Sequence, residues 1–134
     1  MLFTKASEYA LLSMICIAGK EESMDVDSIS SELGISRSFL AKILQNLARE
    51  GILVSFKGAN GGFMLAQKPE EISIKRIIES AEKRKMAVFE CSISADSCAS
   101  SKGGICQIWP MFSALQSKID DFLDTITLAN IIKK

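Results

Sequence analysis

Apolar and polar positions recur along this chain with a period that changes from segment to segment, and the changes mark out its elements. Phe39, Leu40, Ile43, Leu44 and Leu47 form one stripe of a 3.6-residue repeat, which predicts a helix with those five side chains inward. Ser36 stands before it as an N-cap whose hydroxyl can accept a first-turn amide, and Gly51 follows Glu50 where a helix end favours positive φ. The opposite face carries Arg37, Ser38, Ala41, Lys42, Gln45 and Asn46. With Ser36 these are short or forked donors, suited to phosphates and base edges in a major groove. The pattern then shortens to that of a hairpin, with strands at 52–57 and 63–66. Its turn, 58–62, holds three glycines and Asn60, and Lys57 sits at its root. Lys57, Asn60 and Gly61 are the wing's candidate contacts to a duplex.

Before the stripe, Thr4 can cap a first helix with Leu11, Leu12, Met14, Ile15 and Ala18 inward, ended by Gly19 and Lys20. Glu8 lies in its first turn, where a carboxylate suits the helix dipole, and Cys16 reads as a small core residue. Asp25 can cap a second helix over 26–33 with Ile29 and Leu33 inward, and Gly34 makes the tight turn into the reading helix. Two helices joined in this way, the second with a polar face, form a helix-turn-helix, and the hairpin makes it winged. After Pro69, Ser73 can cap a fourth helix from 74 to about 83, with Ile74, Ile77, Ile78 and Ala81 inward.

The tail returns to helix near Trp109-Pro110. Ile108, Phe112, Leu115, Ile119, Phe122 and Ile126 alternate intervals of four and three, which is a heptad seam. Four earlier helices already supply inward stripes, so this seam predicts a surface that faces a second copy, and hence a homodimer. Residues 127–132 read as a short terminal turn. The expected fold is therefore mainly α with a small β-hairpin wing: a winged helix-turn-helix plus a long C-terminal dimerisation helix. Its parts are a DNA-binding domain over 1–84, a cysteine-containing loop over 85–107, and a dimerisation helix and tail over 108–134.

Composition changes this picture in three places. A hydrophobic content of 48% in 134 residues favours an oligomer over a monomer. Net charge is zero, so any attraction to nucleic acid has to be local; between Gly34 and Phe63, Arg37, Lys42, Arg49 and Lys57 stand against Glu50 alone. Neither a signal peptide nor an apolar run long enough to span a bilayer is visible, so a cytoplasmic protein with no membrane association is expected.

In that compartment thiols stay reduced. Cys91, Cys98 and Cys106 lie in one Ser/Gly/Ala-rich stretch between the reading half and the seam, while histidine is absent from the whole chain. Three soft thiolates plus one further group can hold an iron–sulfur cluster. Their spacing is not that of a zinc ribbon, and a structural zinc site is the weaker choice. No nucleophile–base pair, phosphate loop or carboxylate dyad is visible, so neither an enzyme nor a small-molecule substrate is expected.

Several stretches carry a family resemblance: MLFTKASEYALLSM, ISRSFLAKILQNLAREGILVSFKGANGGFMLA, ISIKRIIESAE, the three-cysteine segment and FLDTITLANI. The chain resembles the Rrf-type winged-helix regulators, the IscR- and NsrR-like iron–sulfur regulators, over essentially its whole length. The resemblance implies a homodimer that binds double-stranded operator DNA, as a repressor in many members. It also implies that an iron–sulfur cluster, 2Fe–2S or 4Fe–4S, controls operator affinity in response to nitric oxide, redox or iron status. Cys91, Cys98 and Cys106 would be ligands. IscR-type members add a histidine three positions after the last cysteine, where this chain has Trp109; some NsrR-like members use an acidic residue of the partner's first helix, a position matched by Glu8. Lys57 stands where the family commonly has arginine. Two other readings stay open: a metal-free thiol redox switch on the same DNA-binding frame, and, from another class, a small iron–sulfur carrier or electron-transfer protein.

Overall fold

The computed structural model describes residues 3–59, 61–85 and 107–132. Among these described residues six helices and one hairpin follow in the order α1 (Lys5–Ala18), α2 (Val26–Leu33), α3 (Arg37–Arg49), β1 (Leu53–Phe56), β2 (Gly62–Leu65), α4 (Ile74–Glu82), α5 (Trp109–Thr125) and α6 (Leu128–Ile131). A 3₁₀ turn at Pro69–Glu71 lies between the hairpin and α4. Among the described residues no helix is long and apolar enough to cross a membrane.

The caps set the helix starts. The Thr4 hydroxyl accepts from the Ala6 amide, the Asp25 carboxylate from Ser28 and the Ser73 hydroxyl from Arg76, each satisfying a first-turn donor. Ser36 holds the N-cap position of α3 but makes no capping bond; its hydroxyl lies 3.2 Å from that of Ser38 instead. Gly34 ends α2 in the left-handed region, φ 69°, so the chain can reverse within two residues into α3.

One core joins all of these elements. It takes Ala10, Met14 and Ile17 from α1, Ile29 from α2, Leu40, Ile43, Leu44 and Leu47 from α3, and Ile74, Ile77, Ile78 and Ala81 from α4. Leu123 of α5 and Leu128 of α6 close it. The end of the chain is laced to the approach to α4, with the Ile74 amide donating to Ile126 O at 2.9 Å and that of Leu128 to Ile72 O at 2.8 Å. At the other side Glu82, at the end of α4, accepts from the hydroxyls of Thr4 and Ser7. Burial opposes charge on Glu82, yet these bonds together outweigh it and hold the carboxyl below its ordinary range.

Three expected faces differ from the observed ones. On α1, Leu12 and Ile15 are exposed, and the inner line runs through Ser7, Ala10, Ser13, Met14 and Ile17. Ser7, Ala10 and Ser13 are small enough to let α1 lie close against α4, Met14 and Ile17 fill the core beside them, and Leu12 and Ile15 turn outward. On α3, Phe39 is 40% exposed and meets Tyr9 edge-on at 5.4 Å, outside the core proper. On α5 the seam splits: Ile119 and Ile126 pack on the chain's own core, whereas Ile108, Leu115 and Phe122 point outward. A heptad repeat alone cannot distinguish a self-facing from a partner-facing line.

Strands β1 and β2 pair antiparallel, with Leu53 opposite Leu65 and Phe56 opposite Gly62. The hairpin is also tied to the start of α2. Met24 N donates to Phe63 O at 3.0 Å and Phe63 N to Met24 O at 2.8 Å. Gly62, at φ 146°, is pressed so close that a Cβ there would lie 2.4 Å from Met24 O. The wing is therefore held at a fixed angle to the helix-turn-helix.

Candidate nucleic-acid interface

Burying one side of α3 fixes what its other side can offer. Arg37, Ser38, Lys42 and Gln45 are exposed, while Ala41 and Asn46 are half-buried at the edges of that face. Ser36 is exposed at its start. The Arg37 guanidinium is engaged by Asp27 of α2 at 2.5 Å, an exposed pair that a phosphate can replace. Lys42, Arg49 and Lys57 make no ion pair among the described residues. Lys57 follows β1 in the open, and the Gly61 amide closes the wing turn onto Gly58 O at 3.0 Å. Asn60 lies outside the described residues.

Beside this face sits a group that reading the chain by periodicity missed. Lys83, Arg84 and Lys85 follow the last turn of α4 and are exposed. Lys83 lines one recess with Ser38, Phe39, Lys42 and Asn46. The only signal in the sequence is the basic triplet after a helical stripe, which reads equally well as a solvated helix end.

Glu8 is exposed in the first turn of α1, paired with Lys5 at 3.1 Å on the same surface. Cys91, Cys98 and Cys106 lie outside the described residues, and among the described residues no group of three potential ligands comes together. The donor set itself suits an iron–sulfur group: three thiols, which bind iron as thiolates, and a carboxylate that is solvent-accessible and, among the described residues, is engaged by a surface lysine alone. Cys16 is different. Its thiol donates to Glu32 at 2.9 Å, and burial, reinforced by that carboxylate, pushes it up to about 11. It stays protonated and unreactive at neutral pH.

A second surface is apolar. Ile108, Met111, Leu115 and Phe122 line the outside of α5, with Met111 60% and Phe122 61% exposed. The inner side of the same helix is fixed by Leu123 and by Lys75 of α4, which reaches Asp120 at 3.8 Å and Asp124 at 3.5 Å.

The family model for Rrf2, described as "Iron-dependent Transcriptional regulator", matches residues 3–134. The chain belongs to the Rrf2 family. This is a family of transcriptional regulators, not of enzymes. The chain is 32% identical over 136 residues to a candidate HTH-type transcriptional regulator of Aquifex aeolicus, covering 98% of this chain and 92% of that one. It is 28% identical to the HTH-type transcriptional regulator IscR of Aliivibrio salmonicida, over 98% of this chain and 77% of the relative. In fold it is similar to CymR, the global cysteine regulator of B. subtilis, with a TM-score of 0.74 at 24% identity over 98% of this chain and 96% of CymR. It is likewise similar to the IscR of T. potens, with a TM-score of 0.72 at 24% identity over 98% of this chain and 86% of that one. The winged helix-turn-helix of this Rrf2 chain is thus shared with known regulators of transcription.

Proposed function

We propose that this Rrf2-family chain is a homodimeric regulator, acting as a repressor, that binds double-stranded operator DNA and is controlled through an iron–sulfur cluster. The observation that carries the DNA-binding part is the two-sidedness of α3. Leu40, Ile43, Leu44 and Leu47 are buried, and the reverse face holds Ser36, Arg37, Ser38, Ala41, Lys42 and Gln45 beside a wing braced on Met24. Such a helix delivers charge and forked donors to a major groove without costing the core anything. Lys57, Asn60 and Gly61 would bring the wing to the neighbouring backbone. A second copy is the occupant of the outer face of α5, because four large apolar side chains in a line are costly to leave in water. Two reading helices on one two-fold axis then require a roughly palindromic site.

Cys91, Cys98, Cys106 and Glu8 of the partner subunit would hold the cluster. When bound, that group supplies an iron centre reactive towards nitric oxide and oxidants. The chain's own part is transmission. Glu8 lies on α1 next to Thr4 and Ser7, whose hydroxyls donate to Glu82, and the chain leaves α4 for the cysteine segment just after Glu82. Tyr9, one residue beyond Glu8, rests on Phe39 of the reading helix. Ligation at either end therefore loads one hydrogen-bonded junction that abuts α3, which is how a cluster can bias duplex affinity.

The test is to prepare the protein without oxygen, measure iron and acid-labile sulfide, and compare duplex affinity before and after stripping the metal. Stoichiometric iron and sulfide with at least a tenfold change in affinity is the expected result. A metal-free thiol switch is the second reading, favoured by the absence of any histidine that could complete the ligand set. It predicts no iron, and an affinity that follows thiol oxidation instead. Lys42→Ala should weaken duplex binding several-fold and Arg49→Ala less; equal losses would mean that a different face of α3 meets the DNA.

A further inference from the structure

Lys83 occupies an unusual position. It closes α4 at φ 60° and ψ 31°, and it is the one non-glycine residue with positive φ among the described residues. Glycine is the usual occupant of such a helix end, because a Cβ is strained there. The Lys83 amide bonds to Glu79 O, as a glycine's would, so the turn itself has no need of a side chain. The lysine is exposed and makes no ion pair among the described residues. Backbone strain kept without a packing reason points to use elsewhere.

The surroundings indicate that use. Lys83 and Asn46 border two recesses at once: one runs along the reading face past Lys42 and Ser38, the other continues behind it past Arg49 and Lys85. The second recess also holds Glu50, Glu79 and Asp124. Asp124 is matched by Lys75, and Arg76 is occupied by Gln67 and the Glu50 carbonyl. Bordering the two recesses are Lys42, Arg49, Lys83 and Lys85, which make no ion pair among the described residues and outnumber the two remaining carboxylates, Glu50 and Glu79; the strip is continuous with the polar face of α3.

We propose that Lys83, with Lys42 across the shared recess, seats a backbone phosphate of the bound duplex beside the groove that α3 enters. The seat rests on the DNA-binding reading above and extends the footprint beyond the helix-turn-helix and the wing. A lysine is a compact point charge, so it adds affinity and fixes register while carrying no base preference.

Lys83→Gly tests this directly, because it removes the charge from a turn that glycine fits better. The probes are a duplex that the wild-type protein selects from a random-sequence pool and a scrambled duplex of equal length. Expected are an unchanged or raised melting temperature, roughly a three- to tenfold loss of affinity on both duplexes, and a salt dependence shallower by about 0.9 in log–log slope. Lys83→Arg should keep the wild-type slope. Wild-type affinity and slope in Lys83→Gly would overturn the seat, and so would a loss of affinity at unchanged slope, which would mean a structural role only. If the wild type binds neither duplex, the DNA-binding reading itself falls and the seat with it; if it binds and Lys42→Ala flattens the slope while Lys83→Gly does not, the seat alone falls.

Discussion

Helices α3 and α5 each turn one side to the same core, and they differ in what the other side presents. The outer face of α3 is made of arginine, lysine, serine and glutamine, all happy in water and able to exchange water for phosphate. The outer face of α5 carries Ile108, Met111, Leu115 and Phe122, which gain only by leaving water. The inner stripe of a helix reports the chain's own fold, and its outer stripe reports the class of partner it suits; on the proposed function these are a polyanion for α3 and a second copy for α5.

Breaking the shared inner side should have the largest effect. Leu44 is fully buried, so Leu44→Ala should destabilise the chain by about 2–5 kcal/mol in denaturant unfolding. A loss below about 1 kcal/mol would mean that α3 is not anchored as described. Next comes the wing. Gly62→Ala forces a Cβ against Met24 O at a strained φ, and should cost about 1–3 kcal/mol and free the hairpin from α2. Amide exchange at Phe63, which is bonded to Met24 O, should accelerate in that variant; unaltered protection would contradict the brace.

The outer sides sharpen the contrast. Phe122→Asp should leave the monomer's unfolding free energy within about 0.5 kcal/mol, as for other surface changes, while raising the dissociation constant of the proposed dimer by more than tenfold. Sedimentation equilibrium reads that constant; an unchanged value would assign the α5 face to something other than a second copy. The smallest effect concerns pH. Glu82 has its carboxyl lowered in the folded state, so its contribution is complete above about pH 4.5 and is lost as pH falls through the lower, folded value. Glu82→Gln should flatten the acid limb of the stability curve and leave the neutral region's slope alone. A wild-type acid limb in that variant would show that the Thr4–Glu82–Ser7 junction does not couple to folding.

Much of the architecture was legible from the chain because its signals are local. Thr4, Asp25 and Ser73 cap helices through bonds to amides two or three residues away, and the stripes of α3 and α4 need nothing but a 3.6-residue repeat. Where the reading of faces slipped, the deciding contact was distant: Phe39 lies against Tyr9, thirty positions earlier, at the edge of the core. The Ser36 slip was local, its hydroxyl turning to Ser38 rather than to an amide. Leu12 and Ile15 are as apolar as Met14 and Ile17, so no hydropathy scale can say which pair faces the core. The basic triplet after α4 gave no reason to be placed beside α3, because only tertiary packing brings Lys83 to the recess that Asn46 lines.

By itself, then, the sequence determined the helices, the hairpin, the local excess of cations between Gly34 and Phe63, and the set of thiols available to a metal, since each depends on neighbours along the chain. Tertiary structure alone decided which side of α1 and α5 is spent inward, how the wing is braced on Met24, and which cations border the reading face. The physical reason is range: caps and periodicity act over a few residues, whereas burial and electrostatic proximity depend on where separate segments are brought together.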